Sequence, residues 1–445
     1  MKYSVITFGC RVNQADSLGF EEEFLARGAT PAAPEESDVV VVNTCSVTSS
    51  ADQAARQTIR RVARVNPGAK IIVTGCYATR RSDEVASLPN VLRVIPNSSK
   101  ANLVVEVTTA ERFSDGEGGC GATIEPGVAG RTAFTLRVQT GCAEPCSYCI
   151  IPTTRGVPIS MPVAQVVEQV DRVAAAGFKE IALTGVHLGS YGRDLTPRSS
   201  LIELLKALDA LGHREGCPLH SESFESVGSC ESFGTRSPSG RPDNHVLFRI
   251  SSLEPMDCTP DIVDLVAASD SFAPHFHLPL QHASNRLLAA MRRPYTIEYY
   301  STLVDRIRTL IPHASIGSDV IVGFPGEMDQ DFEWLADYLD SSPLTHLHVF
   351  PYSDRPGTPA VTLPDKVHGS IVRERANRLR AISQRLASRF RSAQIGTVHR
   401  ALTLDDGTLA VTGNYLKVKI PVGHTRNEWI DVRLVSEQHG ELLGG

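Results

Sequence analysis

Short apolar runs rich in β-branched residues, each followed by a stretch of helical periodicity, recur from the first residue to about position 366. This alternation constrains the chain more than any other feature. Strands joined through helices pair in parallel, and the helices must cover the faces of the sheet. In residues 1–112 the runs are "KYSVITFG", "DVVVVNT" and "KIIVTG", separated by "ADSLGFEEEFLARG" and "SADQAARQTIRRVARV". Continuous apolar runs, rather than alternating ones, suit strands buried on both faces, so this part reads as a doubly wound parallel α/β sheet. A second series spans 132–366, with six candidate strands: "FTLRVQT", "EIALTGV", "LFRISSLE", "HFHLPLQ", "SIGSDVIVGF" and "HLHVFPY". Six right-handed βα units predict a partial (β/α)6 barrel, too short for closed eightfold symmetry.

The intervening segments have a different character. Residues 113–131 are glycine-rich and aperiodic, which predicts a linker. Residues 212–245 are rich in serine and glycine and predict a disordered insert. This insert follows a helix and precedes a strand, so it is expected at the barrel end opposite the strand C-termini, away from any chemistry. Residues 367–393 predict one helix carrying Arg373, Arg375, Arg378, Arg380, Arg385, Arg389 and Arg391 against the single acid Glu374. Residues 394–445 read as short strands and glycine turns, a small β-barrel.

No apolar run approaches the length of a membrane span, and "MKYSVITFGC" reads as a strand rather than a signal peptide. The expected location is cytoplasmic. In a reducing compartment ten cysteines serve as ligands or nucleophiles more readily than as disulfides. A net charge of −6 argues against indiscriminate coating of nucleic acid but leaves room for a local basic surface.

The stretch "GCAEPCSYC" puts Cys142, Cys146 and Cys149 in the loop after the first strand of the second series. This Cys-x3-Cys-x2-Cys spacing lets three thiolates face one centre and leaves a coordination position open. An iron–sulfur cluster with one free iron fits that arrangement. Zinc, which usually takes four protein ligands in a structural site, and a chance cluster of structural thiols are the alternatives. Cys10, Cys45 and Cys76 each stand just past a predicted parallel strand of residues 1–112. The C-terminal ends of such strands converge on the ligand crevice, so a second cluster is the hypothesis here and core packing the alternative. Cys120, Cys217, Cys230 and Cys258 share no such geometry.

The three-cysteine spacing, with Tyr148 before the last cysteine, resembles that of the radical S-adenosylmethionine enzymes. With "TFGCRVNQADS", "VVNTCSVT" and "VTGCYA", the chain resembles a methylthiotransferase along its whole length apart from the insert. "GCRVNQ" and "TGVHLGSYG" look most like the branch acting on threonylcarbamoyl-adenosine beside the tRNA anticodon. Sister branches act on isopentenyl-adenosine or on an aspartate of a ribosomal protein.

The resemblance implies that Cys142, Cys146 and Cys149 hold a four-iron four-sulfur cluster that chelates S-adenosylmethionine and yields a 5′-deoxyadenosyl radical. It implies that Cys10, Cys45 and Cys76 hold an auxiliary cluster carrying the sulfur to be inserted. A second S-adenosylmethionine would supply the methyl group, and an electron donor and a sulfur source are implied as partners. Tyr148, Gly185, Ser252, Glu254, Gln281 and Gly323 are the residues expected near S-adenosylmethionine, each with strand capping or packing as the plainer alternative. His187 is expected to be a satisfied core histidine. The basic helix and small barrel resemble the TRAM appendage of this family, with Arg373, Arg378, Arg385 and Arg389 as candidate phosphate contacts to tRNA. A competing reading from another class is a non-catalytic iron–sulfur RNA-binding protein. Two sites with open iron argue against it.

Overall fold

The structure is a computed structural model that describes residues 1–108, 126, 132–212 and 245–445. Except for residues 126, 212 and 245, the expected linker 113–131 and insert 212–245 lie outside the described residues.

Five parallel strands form the N-terminal sheet: β1 (Lys2–Thr7), β2 (Thr30–Pro31), β3 (Val39–Thr44), β4 (Lys70–Gly75) and β5 (Val91–Ile95), in the order β2-β1-β3-β4-β5. All six residues of β3 are buried, as its unbroken valine run demands. Val39 and Val41 pack with Phe20 and Phe24 of the helix Arg11–Ala26, while Val40 and Val42 pack with Ile59 and Val62 of the helix Ser49–Val65. The two-residue period of the strand thus feeds two separate cores, one on each face. The chain reverses direction across the sheet between β1 and β3, and a crevice opens there at the strand C-termini.

The second series contains β6 (Phe134–Arg137), a short antiparallel pair β7 (Gln139–Thr140) and β8 (Ile159–Ser160), then β9 (Glu180–Thr184), β10 (Leu247–Ile250), β11 (His275–His277), β12 (Ser315–Val322) and β13 (His346–Pro351). β6, β9 and β10 pair in parallel, as do β11, β12 and β13, and a parallel bridge between Phe248 and Phe272 joins the two halves. All six expected strands are present, in a curved sheet of sequential order. Several are shorter than the apolar runs. "HFHLPLQ" is strand only over His275–His277, because Pro279 cannot donate to the ladder and Gln281 takes φ +65°.

The helix Gly369–Gln394 lies against the helix Asp329–Ser341. It leads into a closed barrel of β14 (Val398–Leu404), β15 (Leu409–Thr412), β16 (Lys417–Lys419), β17 (Trp429–Gln438) and β18 (Glu441–Gly444). Phe390 of the helix enters the barrel core beside Val418, Leu434 and Leu442.

The arginines of this helix are not the free basic face expected. Arg375 is buried against Glu327 at 2.6 Å, Arg378 takes Glu333 through two bonds of 2.6 and 2.7 Å, and Arg385 takes Asp340 at 2.6 Å. Arg389 donates to the carbonyls of Asp340 and Ser342. The acids belong to the neighbouring helix and its approach, so most of the charge excess serves docking. Arg378 and Arg385 are thus held in exposed ion pairs, and Arg389 is held on backbone carbonyls. Neither Arg373 nor Arg389 has an acid side chain as partner among the described residues.

His282 gives the fold an acid-sensitive point. Its ring is fully buried, and Nδ1 accepts the N–H of Ser284 at 3.0 Å. Burial, reinforced by the nearby Arg375 and Arg286, pushes its pKa down from 6.5 to about 3. The unfolded chain therefore takes up a proton below pH 6.5 that the folded chain refuses, and stability falls as the pH drops. The expected slope is about 1.4 kcal/mol per pH unit for this group. Urea midpoints recorded at falling pH should decline less steeply for His282→Gln than for the parent chain; parallel curves would refute this.

Candidate active site between two cysteine loops

Cys10 is the residue before the helix Arg11–Ala26, Cys45 follows β3, and Cys76 opens the short helix Cys76–Arg80. Asn13 ties the first two loops together, with Nδ2 donating to the carbonyls of Phe8 at 2.8 Å and Thr44 at 2.9 Å. Thr44 ties the third, donating to the Thr74 carbonyl at 2.6 Å and accepting the Ala78 N–H at 3.2 Å. Gly9 has φ +92°, and a Cβ there would stand 2.5 Å from Cys45 Sγ, so the Cys10 loop closes on Cys45 only with glycine. The same Gly-Cys step recurs at Gly75–Cys76 and Gly141–Cys142, with φ of +98° and +76°.

Burial, with Cys10 and Cys76 as neighbours, pushes the Cys45 thiol up to about 12, against the N–H of Val47 at 3.5 Å from its sulfur. Asn97 Nδ2 lies 3.7 Å from Cys76 Sγ, and the buried Arg155 guanidinium stands beside Cys76. Such thiols ionise together only against a cationic centre, and the donors around them suit the resulting thiolates. This set fits an iron–sulfur cluster.

Around the second set, Glu144 N–H reaches Cys142 Sγ at 3.4 Å and Arg293 Nη1 reaches Cys146 Sγ at 3.2 Å. Burial pushes the Cys149 thiol up to about 12, while the Ile151 N–H bonds its sulfur. Arg293 is itself buried and held by Glu254 and by the Tyr295 hydroxyl. Three free thiols with N–H donors and a guanidinium beside them fit a cluster here also.

Two buried charge networks join the halves of the site. Asp16 meets Lys100 at 2.6 Å and Arg155 at 3.3 Å, and also Arg137. Burial alone would raise the Asp16 carboxyl, but these three cations hold it down at about 2. Asp52 takes Ser46 at 2.9 Å, Arg80 at 2.5 Å and Arg355 at 3.1 Å. Arg137, Arg155 and Arg355 come from the second series, so they orient the two cysteine sets relative to each other.

Between the halves lies a cavity of about 640 Å³. Gly9, Cys10, Arg11 and Cys45 line one wall, and Gly185, Ser252, His277, Asp319 and His348 line another. Ser252 bonds His277 Nδ1 at 3.0 Å; His277 Nε2 and His348 Nδ1 stand 3.0 and 3.1 Å from one oxygen of Asp319. Tyr415, from the turn between β15 and β16, reaches the same cavity.

Of the residues expected near S-adenosylmethionine, Gly185 and Ser252 lie on this wall. Glu254 orients Arg293, and the Gln281 N–H bonds the carbonyl of Asp319 at 2.9 Å. Tyr148 packs against Leu287, Met291 and Phe324. Gly323 faces the helix Gly369–Gln394, where a Cβ would stand 2.4 Å from Val372 Cγ2, so its role is close packing. His187 is buried with Nε2 bonded to Asp257 at 2.9 Å, while Nδ1 has no hydrogen-bond partner among the described residues, so the expected satisfied histidine is only half satisfied. Cys258 is core.

The sequence reading missed Asn13, Asp16, Arg293, Tyr415 and the histidine group. Only the histidines carried a signal: "HFH" and "HLH" alternate within strands, which puts both members of each pair on one face.

The model of the Uncharacterized protein family UPF0004 matches residues 2–96, and that of the Radical SAM superfamily matches residues 136–339. A threonylcarbamoyladenosine tRNA methylthiotransferase of Aquifex aeolicus is 34% identical over 94% of this chain and 96% of its own. Its counterpart in Bacillus subtilis is 30% identical over 98% of both chains. A tRNA-2-methylthio-N(6)-dimethylallyladenosine synthase of Corynebacterium urealyticum is 30% identical over 91% of this chain and 73% of its own. Among solved structures, the radical S-adenosylmethionine methyltransferase TsrM of Kitasatospora setae aligns with a TM-score of 0.54 over 81% of this chain and 76% of its own. At 14% identity that likeness is one of fold alone.

Proposed function

Because the chain belongs to the radical S-adenosylmethionine methylthiotransferase family, we propose that it methylthiolates carbon-2 of threonylcarbamoyl-adenosine beside the anticodon of tRNA. The observation that carries this reading is the single cavity bounded on one side by Cys10 and Cys45 and on the other by the strand ends of the second series. When bound, S-adenosylmethionine and two four-iron four-sulfur clusters supply the radical, the sulfur and the methyl group. Carbon-2 of adenine is not acidic, so acid–base side chains alone do not suffice.

The chain's own residues bind and orient. Cys142, Cys146 and Cys149 would hold one cluster, and Cys10, Cys45 and Cys76 the other. Arg293 places a positive charge against Cys146, and Glu254 fixes that guanidinium. Asp16 and Arg155 hold the two cysteine sets in register across the cavity. Val12, Val47, Ala51 and Phe350 make much of the wall apolar, which keeps water from a reactive centre. The target base leaves the anticodon stack to enter, as single-stranded loops allow. The reaction draws on an electron donor and a sulfur source as partners.

Mass spectrometry of nucleosides from total tRNA, with and without the gene, tests the assignment. Loss of the methylthio product with its threonylcarbamoyl precursor accumulating is the expected result. Accumulation of isopentenyl-adenosine instead would move the substrate, and an unchanged profile would direct the search to ribosomal peptides.

A further inference from the structure

We propose that Arg11, braced by Tyr415, reads the carboxylate of the threonylcarbamoyl group and so selects an anionic substituent on the base. This rests on the substrate assigned above.

Among the described residues, Arg11 is the only lysine or arginine lining the cavity. It has no carboxylate partner there; its one hydrogen bond goes to the Tyr415 hydroxyl at 3.3 Å, with the guanidinium 5.8 Å from the ring centroid. A guanidinium carries five donors, so most of its fork stays available. Asp319, the only acid on the wall, is already engaged by His277 and His348. The wall therefore presents one fixed cation with no acid partner, while its one carboxylate is taken up in hydrogen bonds to two histidines.

Tyr415 is held in place for this contact. Its backbone takes φ +69°, a conformation unfavourable for a tyrosine. Arg249 stacks 4.6 Å from its ring centroid and bonds the Gly413 carbonyl at 2.9 Å. Arg249 is fully buried and anchored on Glu180 at 2.8 and 3.3 Å. The C-terminal barrel is thus locked to the second series where it delivers a side chain to the cavity, so it completes the site in addition to any contact with RNA.

The substrate's chemistry matches this position. A carbamoyl N–H of the threonyl side can bond N1 of the same base, next to carbon-2. That folds the carboxylate toward the edge that must face Cys10, and Arg11 is the next residue in the chain.

The test compares two anticodon stem-loop RNAs, one bearing threonylcarbamoyl-adenosine and one bearing its methyl ester, which lacks the charge. Binding to the cluster-loaded protein is measured by fluorescence anisotropy without turnover, and methylthiolation separately. The parent chain is expected to bind the acid at least about tenfold more tightly than the ester. Arg11→Gln should erase that preference and leave ester binding unchanged, while Arg11→Lys should retain part of it. Equal binding of acid and ester by the parent chain overturns the proposal. So does an equal loss on both RNAs in Arg11→Gln, which would place Arg11 on a phosphate. A parent chain that prefers the acid but does not methylthiolate it overturns the proposed reaction and leaves this assignment standing.

Discussion

Cys146→Ala is expected to lose all reductive cleavage of S-adenosylmethionine, whereas Cys45→Ala should keep that cleavage and lose methylthiolation of tRNA. With one of three thiolates gone, the loop at Cys142–Cys149 cannot hold a cluster that already lacks a fourth protein ligand. The fold should survive, because Arg293 keeps Glu254 and the Tyr295 hydroxyl after losing the sulfur. In Cys45→Ala the loops stay closed through Asn13 and Thr44, neither of which uses the Cys45 side chain. Iron content in each variant should drop to about half that of the parent chain. The decisive measurements are 5′-deoxyadenosine release and methylthiolated nucleoside in the same reaction. Normal methylthiolation by Cys45→Ala would sink the auxiliary-cluster assignment.

Asp16→Ala is expected to produce the largest loss of stability, about 3–5 kcal/mol, because it strands Lys100 in the interior. Side-chain exposure is 6% for Lys100 and 1% for Asp16, so water cannot take the carboxylate's place. The Asp16 carboxyl is held at about 2 in the folded chain against an ordinary 3.8. Its contribution is therefore complete above the ordinary value and is lost as the pH falls through about 2. Urea midpoints at neutral pH should separate the variant widely from the parent chain, with Asp16→Asn between them. A separation no larger than that of a surface pair would mean the network is solvated. Asp16 also spans the two cysteine sets through Arg155, so methylthiolation should fall further than folded content alone explains.

Local order was open to inspection in the residues. The valine run of β3 demands burial on both faces, and the strand–helix alternation demands parallel pairing. Those two facts put Cys10, Cys45 and Cys76 at one edge of one sheet, and the tight spacing of Cys142, Cys146 and Cys149 marks its centre by covalent reach alone. Periodicity and spacing are properties of neighbouring residues, so a linear text carries them.

Partner choice among distant charges is not such a property. The arginines of the helix Gly369–Gln394 read as a free basic face until packing set Glu333 and Asp340 against them. Lys100 and Arg155 find Asp16 from 84 and 139 residues away. Tyr415 meets Arg11 across 404 residues, through a barrel whose docking depends on Arg249. The sequence by itself determined the parallel pairing, the six strands of the second series and the placing of two thiol sets at strand ends. The tertiary structure alone supplied β2 and β5, set the order of the first sheet, and decided which charges are spent on holding the domains together and which cation is left facing the cavity. The physical reason is that a charge acts through distance and burial, and both exist only once the chain has packed.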